Sequence, residues 1–531
     1  MGSGLHAVEL VYLALLGFVV LFAGVARKLD TPYPIVLVVA GLVLSFIPGT
    51  PRVSIDPNFV FLVILPPLLF ASAWRTSWRD FRYNLFSISM LAFGLVAFTV
   101  LGVAALAHFA IPAIDWKVGL VLGAVVAPTD AIAATSIARR LGLPRRVVDI
   151  LEGESLLNDA SGLLALEFAI GLLVSGEAPG IGDEVWRFIA LTIGGIVVGL
   201  VVGFLIDRVE RLVNDAPIEI TLSLLVPYAA YLAAESIHVS GVLAVVTCGL
   251  YLSRRSATFF AANVRLQAES VWQSLEFILN GVVFILIGLQ LPKIVSAIHG
   301  YSISTLVLFG LGFSAALIVL RMVWTFPGTA FAYFVRNHFL GQPDKLPGPK
   351  MIFIVGWTGM RGVVSLAAAQ SIPLTLGDGS PLPHRDLIIF LTFSVILVTL
   401  VLQGLTLSPL VRALGLSGAA GPDCEEKEAR RILIDAGLRY LEESQAQDVN
   451  ELAPVYQDLL QHYHQRLKEV EDPEAQGILE SASSFRRLNV ELLRVERRTA
   501  VRLRDEGRIS DDVLRKLQYE LDLNEARLQL Q

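Results

Sequence analysis

Three stretches of the sequence carry charged and hydroxyl side chains inside otherwise apolar runs. In residues 151–166, LEGESLLNDASGLLAL, helical spacing puts Glu154, Asn158 and Gly162 on one face at i, i+4 and i+8, beside the i, i+4 pair Ser155 and Asp159. In residues 123–134, GAVVAPTDAIAA, Pro128 removes a backbone donor and frees carbonyl oxygens next to Thr129 and Asp130. In residues 356–365, GWTGMRGVVS, three glycines and Thr358 weaken a helix around Arg361. Hard cations prefer oxygen ligands, and carboxylate, hydroxyl and freed carbonyl oxygens are what the first two stretches offer together. Asp159, Ser155 and Thr129 are the expected ligands of a monovalent cation such as Na⁺. Thr129 and Asp130 also suit the cap of a helix that restarts after Pro128, which leaves Asp130 between two roles.

The elements that must hold these residues are membrane helices. The 531 residues are 54% hydrophobic and 17% charged, too apolar for a water-soluble chain of this length. Apolar runs fall near 8–26, 33–48, 59–73, 84–110, 118–138, 147–175, 187–206, 218–237, 239–252, 271–291, 303–335, 351–374 and 387–411. The first has no basic leader and is followed by Arg27 and Lys28, so it reads as a retained span. Alternate loops hold 17 and 5 basic residues, which orients the more basic set, with Arg75, Arg139 and Arg146 among them, toward the cytoplasm. The N-terminus is then outside and the C-terminal tail inside, in the cell (plasma) membrane.

Residues 1–415 form the expected transmembrane domain and 416–531 a helical cytoplasmic tail. From residue 421 onward the chain has 17 Lys and Arg against 24 Asp and Glu, and apolar residues such as Leu438, Leu488, Leu492 and Val495 recur at helical spacing. Residues 418–422, GAAGP, read as a hinge. Gly195, Gly199 and Gly203 read as a helix-packing stripe. No run of Lys and Arg suits a phosphate backbone, and no GxxxxGK[ST] or GxGxxG loop is present, so neither nucleic acid nor nucleotide is an expected partner. The eight histidines do not cluster as metal ligands, no cofactor is implied, and Cys248 and Cys424 are not expected to pair.

A charged group at the bilayer centre costs roughly 2.5 to 3.5 kcal/mol on insertion scales, so Glu154, Asp159 and Arg361 call for partners or work. The two weakened spans, fifth and twelfth, run in opposite directions, as interrupted helices of inverted repeats do when they meet at mid-membrane. Glu154 is the expected counter-charge of Arg361, because Asp159 must stay free to bind and release its ligand. Arg321 has no assigned partner. Glu167, Glu235 and Glu276 read as helix-contact or mouth residues.

The segments VVAPTDAIA, LEGESLLNDASGL and WTGMRGVVSLA resemble the defining motifs of the monovalent cation:proton antiporter-1 family of Na⁺/H⁺ exchangers, in particular its bacterial type. The resemblance extends through LPPLLFASAW, LEFILNGVVFILIGLQL and LVLQGLTLSPLV. It implies an all-α antiporter fold of about thirteen helices, a homodimer in membrane lipid, and a six-helix core with two crossed, broken helices. It also implies that Asp159 is the proton-exchanging carboxylate and that Asn158 marks the electroneutral type. Thr129, Asp130 and Ser155 would line the ion site, and Glu154 with Arg361 would form a buried ion pair. Ser408 departs from the animal members, which carry arginine there. The expected activity is secondary transport, not enzymatic catalysis: Na⁺, or Li⁺ or K⁺, exchanged for H⁺ one for one by alternating access. The rival readings are a passive cation channel or gated pore, which would carry current, and a signalling protein whose membrane part is only an anchor.

Overall fold

The computed structural model describes residues 2–47, 56–112, 114–175, 181–213, 215–260, 262–298, 300–339, 341, 346–376, 380–417, 424–447, 453–471, 476–506, 508 and 511–530. Among these residues the ordered elements are helices, with no strands. The expected hinge at 418–422 lies outside the described residues. By contacts the chain divides into two compact units, Met1–Ala420 and Gly421–Gln531.

The first unit opens with α1 (Gly2–Lys28), α2 (Tyr33–Ser45) and α3 (Pro57–Phe59), the last running through a π-helical stretch into α4 (Leu65–Arg75). Next come α5 (Trp78–Ser89), a second π-helical stretch, α6 (Val96–Ala110), α7 (Trp116–Val126), α8 (Ile132–Arg140) and α9 (Arg145–Ser175). They are followed by α10 (Ile181–Glu210), α11 (Ala216–Ser236), α12 (Gly241–Phe259), α13 (Ala262–Leu289) and α14 (Leu291–Ala297). The unit ends with α15 (Ile303–Phe339), α16 (Pro349–Trp357), α17 (Val363–Ser371), α18 (Arg385–Val398), a third π-helical stretch and α19 (Gly404–Ala413). Among the described residues each of the thirteen apolar runs falls on helix, the fifth and twelfth with a break inside. Among the described residues, eight helical segments are long and apolar enough to cross a membrane, the longest being Ile303–Phe339. Of the other runs, the second is a short helix, Tyr33–Ser45, and the fifth and twelfth are broken.

Local chemistry explains the boundaries. Ser77, Asp215 and Ser240 cap α5, α11 and α12 by accepting from backbone N–H groups three residues on. Proline opens α2, α11 and α16, where a missing amide donor costs nothing. The small-residue stripe of α10 packs on α12, as its spacing predicts: a Cβ at Gly199 would stand 2.4 Å from the carbonyl oxygen of Ala244. The other side of α10 exposes Val197, Leu200, Val201, Phe204 and Leu205, a surface suited to lipid.

The second unit contains α20 (Cys424–Gln447), α21 (Ala453–Glu471), α22 (Gln476–Asp505) and α23 (Asp511–Leu530). Within it, Arg497 of α22 pairs with Asp522 and Glu525 of α23 at 2.6 and 2.7 Å. Helical periodicity marked Leu488, Leu492 and Val495 as an apolar stripe, yet these three are exposed, and among the described residues the buried ones are Ile434, Leu438, Leu493, Ala500, Leu514 and Leu521. Two-helix packing hides only a narrow stripe of each helix, so an apolar run can keep a bare side.

Candidate functional site

Both weakened spans are interrupted helices. The fifth is split between α7 and α8 at residues 127–131, and the twelfth between α16 and α17 at residues 358–362. The two breaks touch: the Asp130 amide donates to the carbonyl oxygen of Met360 at 2.8 Å. Gly362 makes that approach possible, because a Cβ there would lie 2.1 Å from a carboxylate oxygen of Asp130. Asp130 itself accepts from the amide of Ile132, the first residue of α8, at 2.9 Å, one residue ahead of the N-cap Ala131.

α9 runs beside the crossing and presents two neighbouring faces to it. On one face Glu154 and Asn158 meet Thr129. The Thr129 hydroxyl donates to Glu154 at 2.9 Å, while Asn158 Nδ2 donates to Thr129 Oγ1 at 2.7 Å and to Thr129 O at 3.1 Å. On the other face Ser155 and Asp159 line a cavity of about 520 Å³ together with Asp130 and Thr129. Ser155 Oγ accepts weakly from the amide of Ala131, at 3.4 Å. Asp159 is 8% exposed, and its carboxylate accepts no hydrogen bond among the described residues.

The expected pairing of Glu154 with Arg361 is corrected by the structure. Glu154 is held by Arg321 of α15 in a two-pronged contact: Nη2 donates to Oε2 at 2.8 Å and Nη1 donates to Oε1. Both residues are almost wholly enclosed, 2% and 1% exposed. Arg321 reaches Glu154 past Gly359, where a Cβ would come within 2.3 Å of Arg321 Cδ. Arg361 instead donates from Nε to the carbonyl oxygen of Val126 at 3.0 Å and from Nη1 to that of Gly359. Val126 is the last residue of α7 and Gly359 follows the end of α16, so the guanidinium sits against the negative ends of two half-helices. These freed carbonyls replace the expected carboxylate. Arg321 was recognisable as a charge in the middle of a long apolar helix, but nothing local identified its partner 167 residues away.

Of the expected site residues, Asp159, Ser155, Thr129 and Asp130 are gathered at one cavity, and Asn158 stands behind Thr129. Thr129 differs from a simple ligand, since its hydroxyl already serves Glu154 and Asn158. One lone pair remains on that hydroxyl and one on its carbonyl oxygen. Glu276 sits at the cavity mouth, paired with Arg75, and Glu167 pairs with Arg187.

A family model described as sodium/hydrogen exchanger, transmembrane, matches residues 15–413. An uncharacterised Na⁺/H⁺ exchanger of Escherichia coli (strain K12), YjcE, is 33% identical, with 96% of this chain and 97% of that one covered. A sodium, potassium, lithium and rubidium/H⁺ antiporter of Bacillus subtilis (strain 168) is 31% identical over 92% of this chain and 73% of its own. Among solved structures, a sodium proton antiporter from Methanocaldococcus jannaschii superposes with a TM-score of 0.61 at 20% identity, covering 77% of this chain and 99% of the other, and so shares the fold. With its breaks crossing beside a buried carboxylate and its sequence matched from one end of the membrane domain to the other, the chain belongs to the transmembrane sodium/hydrogen exchanger family.

Proposed function

We propose that this exchanger trades one Na⁺ for one H⁺ at Asp159 by alternating access. The observation that carries the reading is the contrast between the two buried carboxylates of α9. Glu154 is neutralised by Arg321 and occupied by Thr129, whereas Asp159 faces the cavity with no partner among the described residues. Enclosure penalises a bare carboxylate, so either a proton or a cation satisfies it, and the two compete. Ser155, one turn earlier on α9, offers a neutral hydroxyl oxygen, and Thr129 its remaining lone pairs. Asn158, an amide, leaves Asp159 the one titrating group in its turn of α9. That favours electroneutral exchange. Asp130 holds the first amide of α8 beside the ion.

The mouth of the cavity is lined by Arg75 and Arg139, both from the more basic set of loops. With that set in the cytoplasm, the conformation is open to the inside, the N-terminus is external and the 416–531 tail is cytoplasmic, in the cell membrane. A homodimer is the proposed assembly, on the resemblance set out above. K⁺ is a second candidate ion, because the Bacillus subtilis relative is named for sodium, potassium, lithium and rubidium.

Everted vesicles or proteoliposomes carrying a pH-sensitive dye test the proposal. Na⁺, Li⁺ and K⁺ are added in turn, and proton movement should follow the preferred ion in the wild type and vanish in Asp159→Asn. Cation-dependent proton movement that survives in Asp159→Asn sinks the mechanism. Exchange that changes with membrane potential would instead favour a current-carrying pore.

A further inference from the structure

Two ion pairs line the mouth of the Asp159 cavity, each on its own pair of helices. Arg75, the last residue of α4, is held through both terminal nitrogens by Glu276 of α13. Arg139, in the last turn of α8, donates to Glu152 of α9 at 2.6 Å. All four side chains border the same cavity as Asp159. In both pairs the carboxylate is the enclosed member: Glu152 and Glu276 are 15% and 14% exposed, against 56% and 38% for Arg139 and Arg75. Arg75 also lies near enough to Glu152 for their charges to attract, although no hydrogen bond joins them.

We infer that Glu152 closes this mouth by leaving Arg139 and taking Arg75 when the two helix pairs approach. The inference rests on the alternating-access reading above. Closure removes water, and a charge enclosed without a partner is costly. Arg75 has the capacity for a second carboxylate, since its Nε–H and the outer hydrogens of its terminal nitrogens are not used by Glu276. Glu152 engages Arg139 through Oε1 alone, which leaves Oε2 open to a new donor. Arg139 is the partner that can be released, because it is more than half exposed and water takes its charge at little cost. Glu269, the third carboxylate at the mouth, accepts from Gln273 at 2.8 Å and stands on α13 with Glu276, so its pairing with Arg75 would not join the two helix pairs.

Accessibility of the cavity reads this exchange of partners directly. Ser72 lines the cavity one turn before Arg75, and Ser72→Cys in a Cys248→Ala, Cys424→Ser background gives a site for maleimide labelling from the mouth side. Glu152→Gln and Arg75→Gln should each raise the labelling rate, because the mouth cannot close. Arg139→Gln should lower it, because Glu152 is released to Arg75. Each shift should be about threefold or more, the lower range of coupling between contacting charges. The double variant Arg139→Gln, Glu152→Gln should behave as Glu152→Gln does. Arg139→Gln and Glu152→Gln moving the rate in the same direction, or Arg75→Gln leaving it unchanged, overturns the inference. Should Arg75→Gln fold poorly, Arg75→Cys with Glu152→Cys takes its place: oxidation during turnover should arrest exchange and a reductant restore it, and no cross-link during turnover is equally fatal. Exchange that survives in Asp159→Asn breaks the transport reading without touching these labelling shifts, so the two failures are distinct.

Discussion

The two faces of α9 that meet the broken helices share one backbone and one depth in the protein, yet they are finished differently. The Glu154 and Asn158 face is tied into a chain that runs from Arg321 through Glu154 and Thr129 to Asn158, all of it enclosed. The Ser155 and Asp159 face, turned by one residue, looks into a cavity and leaves its carboxylate unpartnered among the described residues. A paired and hydrogen-bonded charge is architecture, because moving it costs the whole network. An unpaired one beside open space is available for exchange with a small ion. Two carboxylates five residues apart thus acquire opposite roles from their neighbours alone.

The comparison breaks most sharply at Asp159. Asp159→Asn should reduce exchange to background while leaving thermal stability in detergent near that of the wild type or above it, since an amide is cheaper to enclose than a bare carboxylate. On the other face, Glu154→Gln or Arg321→Met should destabilise the fold by about 3–5 kcal/mol by stranding one charge of an enclosed pair, and the double variant should recover much of the loss. Thermal unfolding of the purified protein measures this, and single variants as stable as the wild type would show the pair to be dispensable. Gly362→Ala forces a methyl into Asp130 and should cost about 1–3 kcal/mol, with exchange lowered as the two breaks are pushed apart. Asp130→Asn keeps an oxygen for the amide of Ile132, so stability should change by no more than about 0.5 kcal/mol and exchange should suffer far less than in Asp159→Asn. In the tail, Arg497→Ala removes two largely exposed ion pairs and should cost about 0.2–1 kcal/mol with exchange unchanged.

Much of this was legible in the sequence. Among the described residues the thirteen apolar runs fall on helix, two of them broken, because hydrophobic length is a local property that the bilayer enforces. Both breaks fell where Pro128 and the glycines around Arg361 stand, since a missing donor or side chain acts within one turn. The face shared by Glu154 and Asn158, and its neighbour with Ser155 and Asp159, followed from helical spacing. The pairing of Glu154 was not legible in this way. A carboxylate at one depth and two arginines in other spans are compatible with either ion pair, and what decided between them was the carbonyl ends of α7 and α16, which already satisfy Arg361. The tail shows the same limit, since periodicity identified helices but not which apolar side they would bury.

By itself the sequence determined the membrane class, the two interrupted helices, the carboxylates of α9 and membership in an antiporter family. These properties are written in composition and short-range spacing. Only the tertiary structure decided that Arg321, not Arg361, neutralises Glu154, that Thr129 is shared between Glu154 and Asn158, and that the remaining carboxylate faces a cavity. Those outcomes depend on which distant groups arrive first at a donor or an acceptor. That is a question of long-range packing, which local pattern does not encode.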